Sequence, residues 1–401
     1  MTEEISAITT AVAHGMDGAL VEPDWPPLTE AEIAGVLQQY PGCEGPVEIL
    51  SVSPRPFSAA SLVAVRDKHV FVKRHARAVR DGEGLREEHR FLEHLRANGV
   101  PVPRVLATAS GETAVEAIEW TYEVHATPPG VDVYKDAISW TPFRSAAHAR
   151  SAGQMLARMH RAAEGFAEPA RGVRPLVSSF SIFSSAEPAA AMRAYLDARP
   201  ALAAHAATRD DCDEALELLM PFQAELGPLL PALEPLWTHN DLHASNLFWS
   251  GTDDAARAIG VIDFGLADRT DAVHDLAIAI ERSVVEWLTL VNDPEHPDDV
   301  AVHFAHLRAL LAGYEQERPL SAQEAAALAP MTALCHAEFA LTEADYFLGV
   351  LKSPEKARIA THGYLVGHAR WFYSLAGRRL LEELRRWAEA GGRKEGREAY
   401  R

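Results

Sequence analysis

Apolar and polar positions keep one rhythm up to about residue 128 and another beyond it. In "VEILSVS", "ASLVAVR" and "KHVFVKRH", β-branched and aromatic residues come close to strict alternation, with short polar or proline-containing breaks between them. That period of two predicts three antiparallel strands. In "EGLREEHRFLEHLRANG" the period lengthens. Leu85, His89, Leu92 and Leu95 mark one helical stripe, and Asn98-Gly99 is its stop. "ETAVEAIE" and "TYEVHA" return to strand rhythm before the breaker "TPPG". Ahead of the strands, "PLTEAEIAGVLQQY" predicts a short helix, with Thr29 and Glu32 at capping-box spacing.

Beyond the breaker the period is helical, as in "AAHARSAGQMLARMHRAA", "HDLAIAIERSVVEWLTLV", "DVAVHFAHLRALLAGYEQ" and "GYLVGHARWFYSLAGRRLLEELRRWAEA". One short strand pair, "HASNLFW" with "AIGVIDFG", interrupts it. The Ala-rich "EPAAAMRAYLDARPALAAHAATRDD" reads as helix and turn, and "GRKEGREAYR" as a solvated tail. The expectation is an α+β, bilobal chain. Residues 1–128 form an N-lobe of five antiparallel strands and one helix, with an N-terminal helical extension, and residues 129–401 a mainly helical C-lobe.

Composition narrows the partners. With 48% apolar and 24% charged residues in 401, the chain can bury a core in each of two lobes. A net charge of -19 argues against a broad grip on nucleic acid or an anionic membrane, so neither is expected as a partner. Cys43, Cys212 and Cys335 are too few and too scattered for a disulfide framework. The start, "MTEEISAITTAVAHG", lacks the basic and continuous apolar regions of a signal peptide, and no apolar run is long enough to span a bilayer. The expected location is the cytoplasm; the sequence specifies no oligomeric state.

The chemistry concentrates in "THNDLHASNLFW" and "VIDFGLAD". An unpaired carboxylate at the buried end of a strand, as at Asp263, is costly unless something offsets its charge. Asp263 follows Asp241 by 22 positions, and Asn246 follows Asp241 by five. An acid, an amide and a second acid in that order suit ATP-driven phosphoryl transfer: one carboxylate meets the attacking hydroxyl while the amide and the other carboxylate hold magnesium. Taken singly, Asp263 reads as a cap, Asn246 as a turn residue and Lys73 of "VFVKRH" as a snorkelling strand residue. Their order along the chain favours the common site.

With these motifs the chain resembles the aminoglycoside phosphotransferase and choline kinase superfamily, small-molecule relatives of eukaryotic-type protein kinases, from about Val47 to Tyr373. The resemblance implies a protein-kinase-like fold, with Asp241 as catalytic base and Asn246 and Asp263 as ligands of Mg2+. It implies that Lys73 contacts the nucleotide phosphates, with Glu88 as its partner and Glu87 as the near alternative. It implies adenine contacts around Val124, Ala126 and Thr127 in "YEVHATPPG". The loop "SPRPFSAAS" lacks the glycines of protein kinases, so phosphate cradling falls to Ser58 through Ser61, and the nucleotide is ATP, with GTP as the alternative. Asn240 stands where the family commonly has glycine.

Three other readings compete. His239, Asp241 and His243 could hold zinc in a metallohydrolase. A silent nucleotide-binding module and a protein Ser/Thr kinase share the fold, but no closing "APE"-like segment follows "DFGLADRTDAVHDLA". The preferred partner is a small-molecule acceptor bearing an amine: an aminoglycoside, an amino alcohol or a homoserine-like compound. Acids clustered beyond the hinge motivate it, with Glu281, Glu338, Glu343 and Tyr346 as candidate acceptor contacts.

Overall fold

The structure, a computed structural model, describes residues 23–53 and 55–391. The stretches "MTEEISAITTAVAHG" and "GRKEGREAYR" lie outside the described residues. Helix α1 (Glu30–Leu37) opens the described chain, and the Thr29 hydroxyl caps it by accepting the Glu32 N–H at 3.2 Å. Only that half of the expected capping box forms. The Glu32 carboxylate instead accepts from Arg74 at 2.7 Å and from the Tyr122 hydroxyl at 2.8 Å, tying the helix to the sheet.

Strands β1 (Val47–Val52), β2 (Ala59–Val65), β3 (Lys68–Ala76), β4 (Ala114–Glu116) and β5 (Trp120–Ala126) form one antiparallel sheet in the order β1-β2-β3-β5-β4. The register sets Lys73 opposite Ala60 on β2 and Glu123 on β5. Val63, Val70, Val72 and Val124 turn one face of the sheet onto Ile33, Leu37 and Tyr40, a small core of their own. Helix α2 (Gly82–Ala97) behaves differently. Its buried stripe, Leu85, His89, Leu92 and Leu95, follows the predicted period, yet Phe91, Leu92 and Leu95 pack into the large core of the helical lobe. The two lobes therefore share a core across α2, where composition alone suggested one core for each.

The rest of the chain runs through α3 (Ala146–Ala163), α4 (Pro188–Asp197), α5 (Pro200–Ala204), α6 (Ala206–Leu226), α7 (Ala272–Val284), α8 (Trp287–Asn292), α9 (Phe304–Glu317), α10 (Ala322–Leu334), α11 (Ala337–Asp345), α12 (Pro354–Arg358), α13 (Gly367–Trp371) and α14 (Leu375–Glu389). Two antiparallel pairs sit among them: β6 (Pro235–Thr238) with β9 (Asp268–Asp271), and β7 (Leu247–Trp249) with β8 (Ala258–Val261). The second pair was expected; the first, only four residues a strand, carries no pattern that separates it from loop. Helices α3 and α9 touch backbone to backbone. A Cβ on Gly153 would lie 2.1 Å from the Leu310 carbonyl oxygen, and one on Gly313 would lie 2.0 Å from that of Arg150. "HDLAIAIERSVVEWLTLV" is two helices, because Val285 leaves α7 to pair with Val302. The last long helical stretch also divides, at Ser374, whose hydroxyl caps α14. Among the described residues no helix is long and apolar enough to cross a membrane.

Candidate active site

Between the sheet and the helical lobe lies a cleft lined by Lys73, Glu88, Asp241, Asn246 and Asp263, so three residues singled out by spacing come together with two that the family resemblance implied. Two of the turns that place them adopt left-handed backbone: Asp263 has φ of 64° and Asn240 has φ of 59°. Such a conformation is costly for most side chains, tolerated best by Gly, Asn and Asp, and tends to persist where surrounding contacts enforce it. For Asn240 those contacts are explicit. Its side-chain carbonyl accepts from Thr238 and Thr270, and its amide group donates to the Ser178 and Leu266 carbonyls. An asparagine can thus stand where the family has glycine, because it keeps the positive φ and satisfies its own amide.

Asp275 at the start of α7 fixes the loop from beneath. Its carboxylate accepts the backbone N–H groups of His239 (2.9 Å) and Asn240 (2.8 Å), and His160 at 3.0 Å. His239 donates through Nε2 to the Ile262 carbonyl and accepts the Asp241 N–H at Nδ1, so it links the loop carrying Asp241 to the strand end carrying Asp263. Burial lowers the pKa of His239, which keeps it neutral in that role. Asn246 donates to the Asp241 backbone carbonyl (2.9 Å) and to its carboxylate Oδ2 (3.2 Å). The other carboxylate oxygen, Oδ1, is in an ion pair with Arg282 of α7.

Lys73 Nζ lies 3.3 Å from Asp263 Oδ1. Burial would lower the lysine's pKa, but the Asp263, Glu123 and Glu88 carboxylates outweigh it and hold the group protonated. Asp263 is held below the usual carboxylate range chiefly by Lys73, against its own burial. The expected pairing of Lys73 with Glu88 is therefore corrected. Glu88 is buried and lines the same cleft, but the ammonium's ion pair goes to Asp263, which competes for the same charge. Glu87 is excluded as the alternative, since its carboxylate is taken by Arg171 and Arg174.

The nucleotide-contact set needs further correction. Ser58 lines the cleft, whereas the Ser61 hydroxyl is sealed inside β2 opposite Val72 and cannot reach a phosphate. Within β5, the Val124 carbonyl accepts from Leu106 N–H at 2.8 Å and the Ala126 N–H donates to the Arg104 carbonyl at 2.9 Å. The Thr127 hydroxyl donates to the His69 carbonyl at 3.1 Å. These groups are committed within the lobe, because residues 104–106 run alongside β5 as an added edge.

Of the four acceptor candidates only Glu343 lines the cleft, beside Phe339 one helical turn earlier and Trp140. Burial pushes its carboxyl up to about 8. Glu338 points elsewhere and accepts from the Ser181 hydroxyl and the Ile182 N–H. Glu281 is buried against His368 at 2.9 Å, and the Tyr346 hydroxyl donates to Asp24 at 3.0 Å. These three are corrected to structural residues because their polar atoms are spent elsewhere: Glu338 on Ser181 and Ile182, Glu281 on His368, and Tyr346, although it shares the Phe339–Glu343 side of its helix, on Asp24. Arg55, which lines the cleft, and Arg282, buried against Asp241, escaped the sequence reading. Arg55, in the β1–β2 loop, donates to the Ser139 hydroxyl at 2.7 Å, and Arg282 lies over the rings of Phe339 (4.3 Å) and Trp140 (5.2 Å). An arginine in a proline-rich loop or on a helix carries no spacing signal.

The proposed zinc triad does not assemble. His243 bonds Ser245 and is pushed down to about 3, mainly by burial, while His239 Nε2 is spent on a carbonyl. Comparison with known proteins agrees with the geometry. The profile of the phosphotransferase enzyme family matches residues 56–320. The chain belongs to the phosphotransferase enzyme family. Among curated relatives it is similar to a homoserine kinase of Rhodopseudomonas palustris (strain TIE-1), 28% identical over 269 residues, covering 67% of this chain and 69% of that one. A homoserine kinase of Methylobacterium radiotolerans is 28% identical over 260 residues, covering 65% and 68%. Solved structures share the fold. A microcompartment-associated aminopropanol kinase superposes with a TM-score of 0.56 at 18% identity over 86% of this chain and 98% of its own. A spectinomycin phosphotransferase in complex with ADP and spectinomycin gives 0.52 at 12% over 91% and 99%. The family's bilobal kinase-like architecture is thus the architecture of this chain.

Proposed function

We propose that the chain transfers the γ-phosphoryl group of ATP to a hydroxyl of an amine-bearing small molecule. The observation that carries this is the convergence of Asp241, Asn246, Asp263 and Lys73 in one cleft that Glu343, Phe339 and Trp140 also line. Asp241 presents a carboxylate whose oxygens are oriented by Asn246 and Arg282, as a base awaiting a hydroxyl proton requires. Asp263 and the Asn246 carbonyl are hard oxygen donors of the kind Mg2+ prefers, and Lys73 already supplies a positive charge to Asp263. They would hold Mg2+, which when bound neutralises charge on the phosphates. Lys73 would orient the phosphates, with Glu88 and Glu123 keeping it charged.

At the other end of the cleft, Glu343 is 4% exposed and makes no ion pair within the described residues. Burial keeps this carboxyl protonated up to about pH 8, and an ammonium group entering beside it would favour the ionised form and so gain a charge partner. Homoserine and aminopropanol, named for the relatives, are both amine-bearing alcohols. A panel of amino alcohols, hydroxy amino acids, aminoglycosides and neutral sugars, assayed for acceptor-dependent ADP release, tests the reading. An amine-bearing acceptor should lead the panel, with an apparent KM that rises with salt while the nucleotide KM stays nearly flat. A neutral sugar or an anion at the head of the panel would refute the amine assignment.

A further inference from the structure

Behind Lys73, three histidines from three elements close on one carboxylate. His75 of β3 approaches Glu123 Oε1 at 2.9 Å, while His89 of α2 (2.8 Å) and His125 of β5 (2.7 Å) share Oε2, each through Nε2. All four residues are buried, Glu123 at 1% exposure. The phosphoryl-transfer reading uses the charge of Glu123 but assigns nothing to the three imidazoles. Among the described residues, His89, Glu123 and His125 form the group whose ligand atoms lie close enough together to hold a metal ion.

The geometry points to a site for a divalent transition ion of the zinc class, formed by His75, His89, Glu123 and His125. Three imidazoles and one carboxylate make a closed four-ligand set, the composition of a structural site and a poor match for Mg2+. The outer contacts also fit. His89 bonds Thr113 Oγ1 through Nδ1 at 2.8 Å, which fixes the ring and leaves Nε2 facing the centre. An entry path exists because His75 also lines the cleft. Bound there, the ion would clip α2 to β3 and β5 at the level of Lys73. The competing arrangement is complete without metal: the three imidazoles bond Glu123 through Nε2, and the carboxylate's several lone pairs can accept all three.

Binding is measured on the full chain without nucleotide or turnover, so the result is independent of the kinase reading. Co2+ is titrated first and then displaced by Zn2+. The proposal expects one equivalent of Co2+ with the intense visible absorption of four-coordinate geometry. It also expects a melting temperature raised by Zn2+, and binding weakened at least about tenfold in His89→Gln and His125→Gln. His306→Gln, at the stacked His303–His306 pair, should change nothing. If His89→Gln fails to fold, the wild-type Co2+ spectrum still decides. Weak six-coordinate bands, no saturable binding, or binding lost in His306→Gln would overturn the site.

Discussion

At the scale of single residues, two acids that sequence spacing treats alike should fail differently. Asp241→Asn should lower turnover by about a thousandfold and leave nucleotide affinity within a few-fold, since the proposed reaction sets Asp241 against the acceptor hydroxyl and not the nucleotide. Asp263→Asn should weaken Mg-nucleotide binding as well, and calorimetry with a non-hydrolysable ATP analogue separates the two. Arg282 is a positioning residue in this account. Arg282→Met should lower kcat more than it raises either KM and should move the acid limb of the kcat profile to higher pH, because a carboxylate stripped of its counter-charge holds a proton more readily. Arg282→Lys should recover part of both effects. Glu343 carries a pH signature of its own. Its folded carboxyl sits at about 8, against 4.5 for the ordinary group, because burial favours the neutral form. Below pH 4.5 folded and unfolded chains both hold this proton. As pH rises towards 8 the unfolded chain releases it and the folded one does not, so the group costs increasing stability, on the order of a few kcal/mol at most. Glu343→Gln should therefore gain thermal stability over wild type as pH rises from 5 to 8, while losing about tenfold in acceptor affinity. A stability difference that is flat with pH would contradict the burial of this acid. The convergence of Asp241, Asn246 and Asp263 in one cleft was legible because phosphoryl transfer would tie such residues to a spacing. Arg282 and Glu343 were not distinguishable from their neighbours, since every charge on a helix looks like a solvated face until packing shows otherwise.

At the scale of elements, the strand rhythm and the β-branched and aromatic content located the sheet well, although burial alternates only in part and β5 is buried on both faces. The helical lobe was less legible. A helical stripe continues across Val285 and Ser374 although the backbone does not, and a break made by a pairing with Val302 or by a serine cap is a tertiary event. The α3–α9 contact is similar, since nothing in "SAGQM" or "LLAGYE" announces that Gly153 and Gly313 meet facing backbone. Gly313→Ala should cost on the order of 2–4 kcal/mol in thermal unfolding, because the Cβ meets a carbonyl that cannot move without parting two helices. A nearly neutral result would mean that the helices separate easily. Helix α2 yields a further prediction. Glu87→Ala should lower stability by about 1–3 kcal/mol through loss of its Arg171 and Arg174 contacts, leaving the nucleotide KM nearly unchanged. Glu88→Ala should act on the nucleotide KM. Reversed outcomes would place the wrong glutamate beside Lys73.

At the scale of the whole molecule, Asp241 and Asp263 belong to the helical lobe and Lys73 to the sheet, while α2 carries Glu88 and packs into the core of the helical lobe. Nucleotide grip and lobe packing are therefore coupled through one helix, and Mg-ATP analogue should raise the melting temperature of wild type but much less that of Lys73→Met. The overall charge of -19 favours cationic partners generally, yet Glu343, which lines the cleft and has no ion pair among the described residues, feels the positive charge of Arg282, so local geometry refines what composition suggests. The central claim, that Asp241 directs the γ-phosphoryl group of ATP onto an acceptor hydroxyl, is tested most directly by γ-labelled ATP with the leading amine-bearing acceptor. Wild type should deliver the label as a phosphate ester on the acceptor's oxygen, leaving its amine free, and Asp241→Asn should deliver almost none. Label found only in inorganic phosphate or on the protein, or undiminished transfer by Asp241→Asn, would contradict the account.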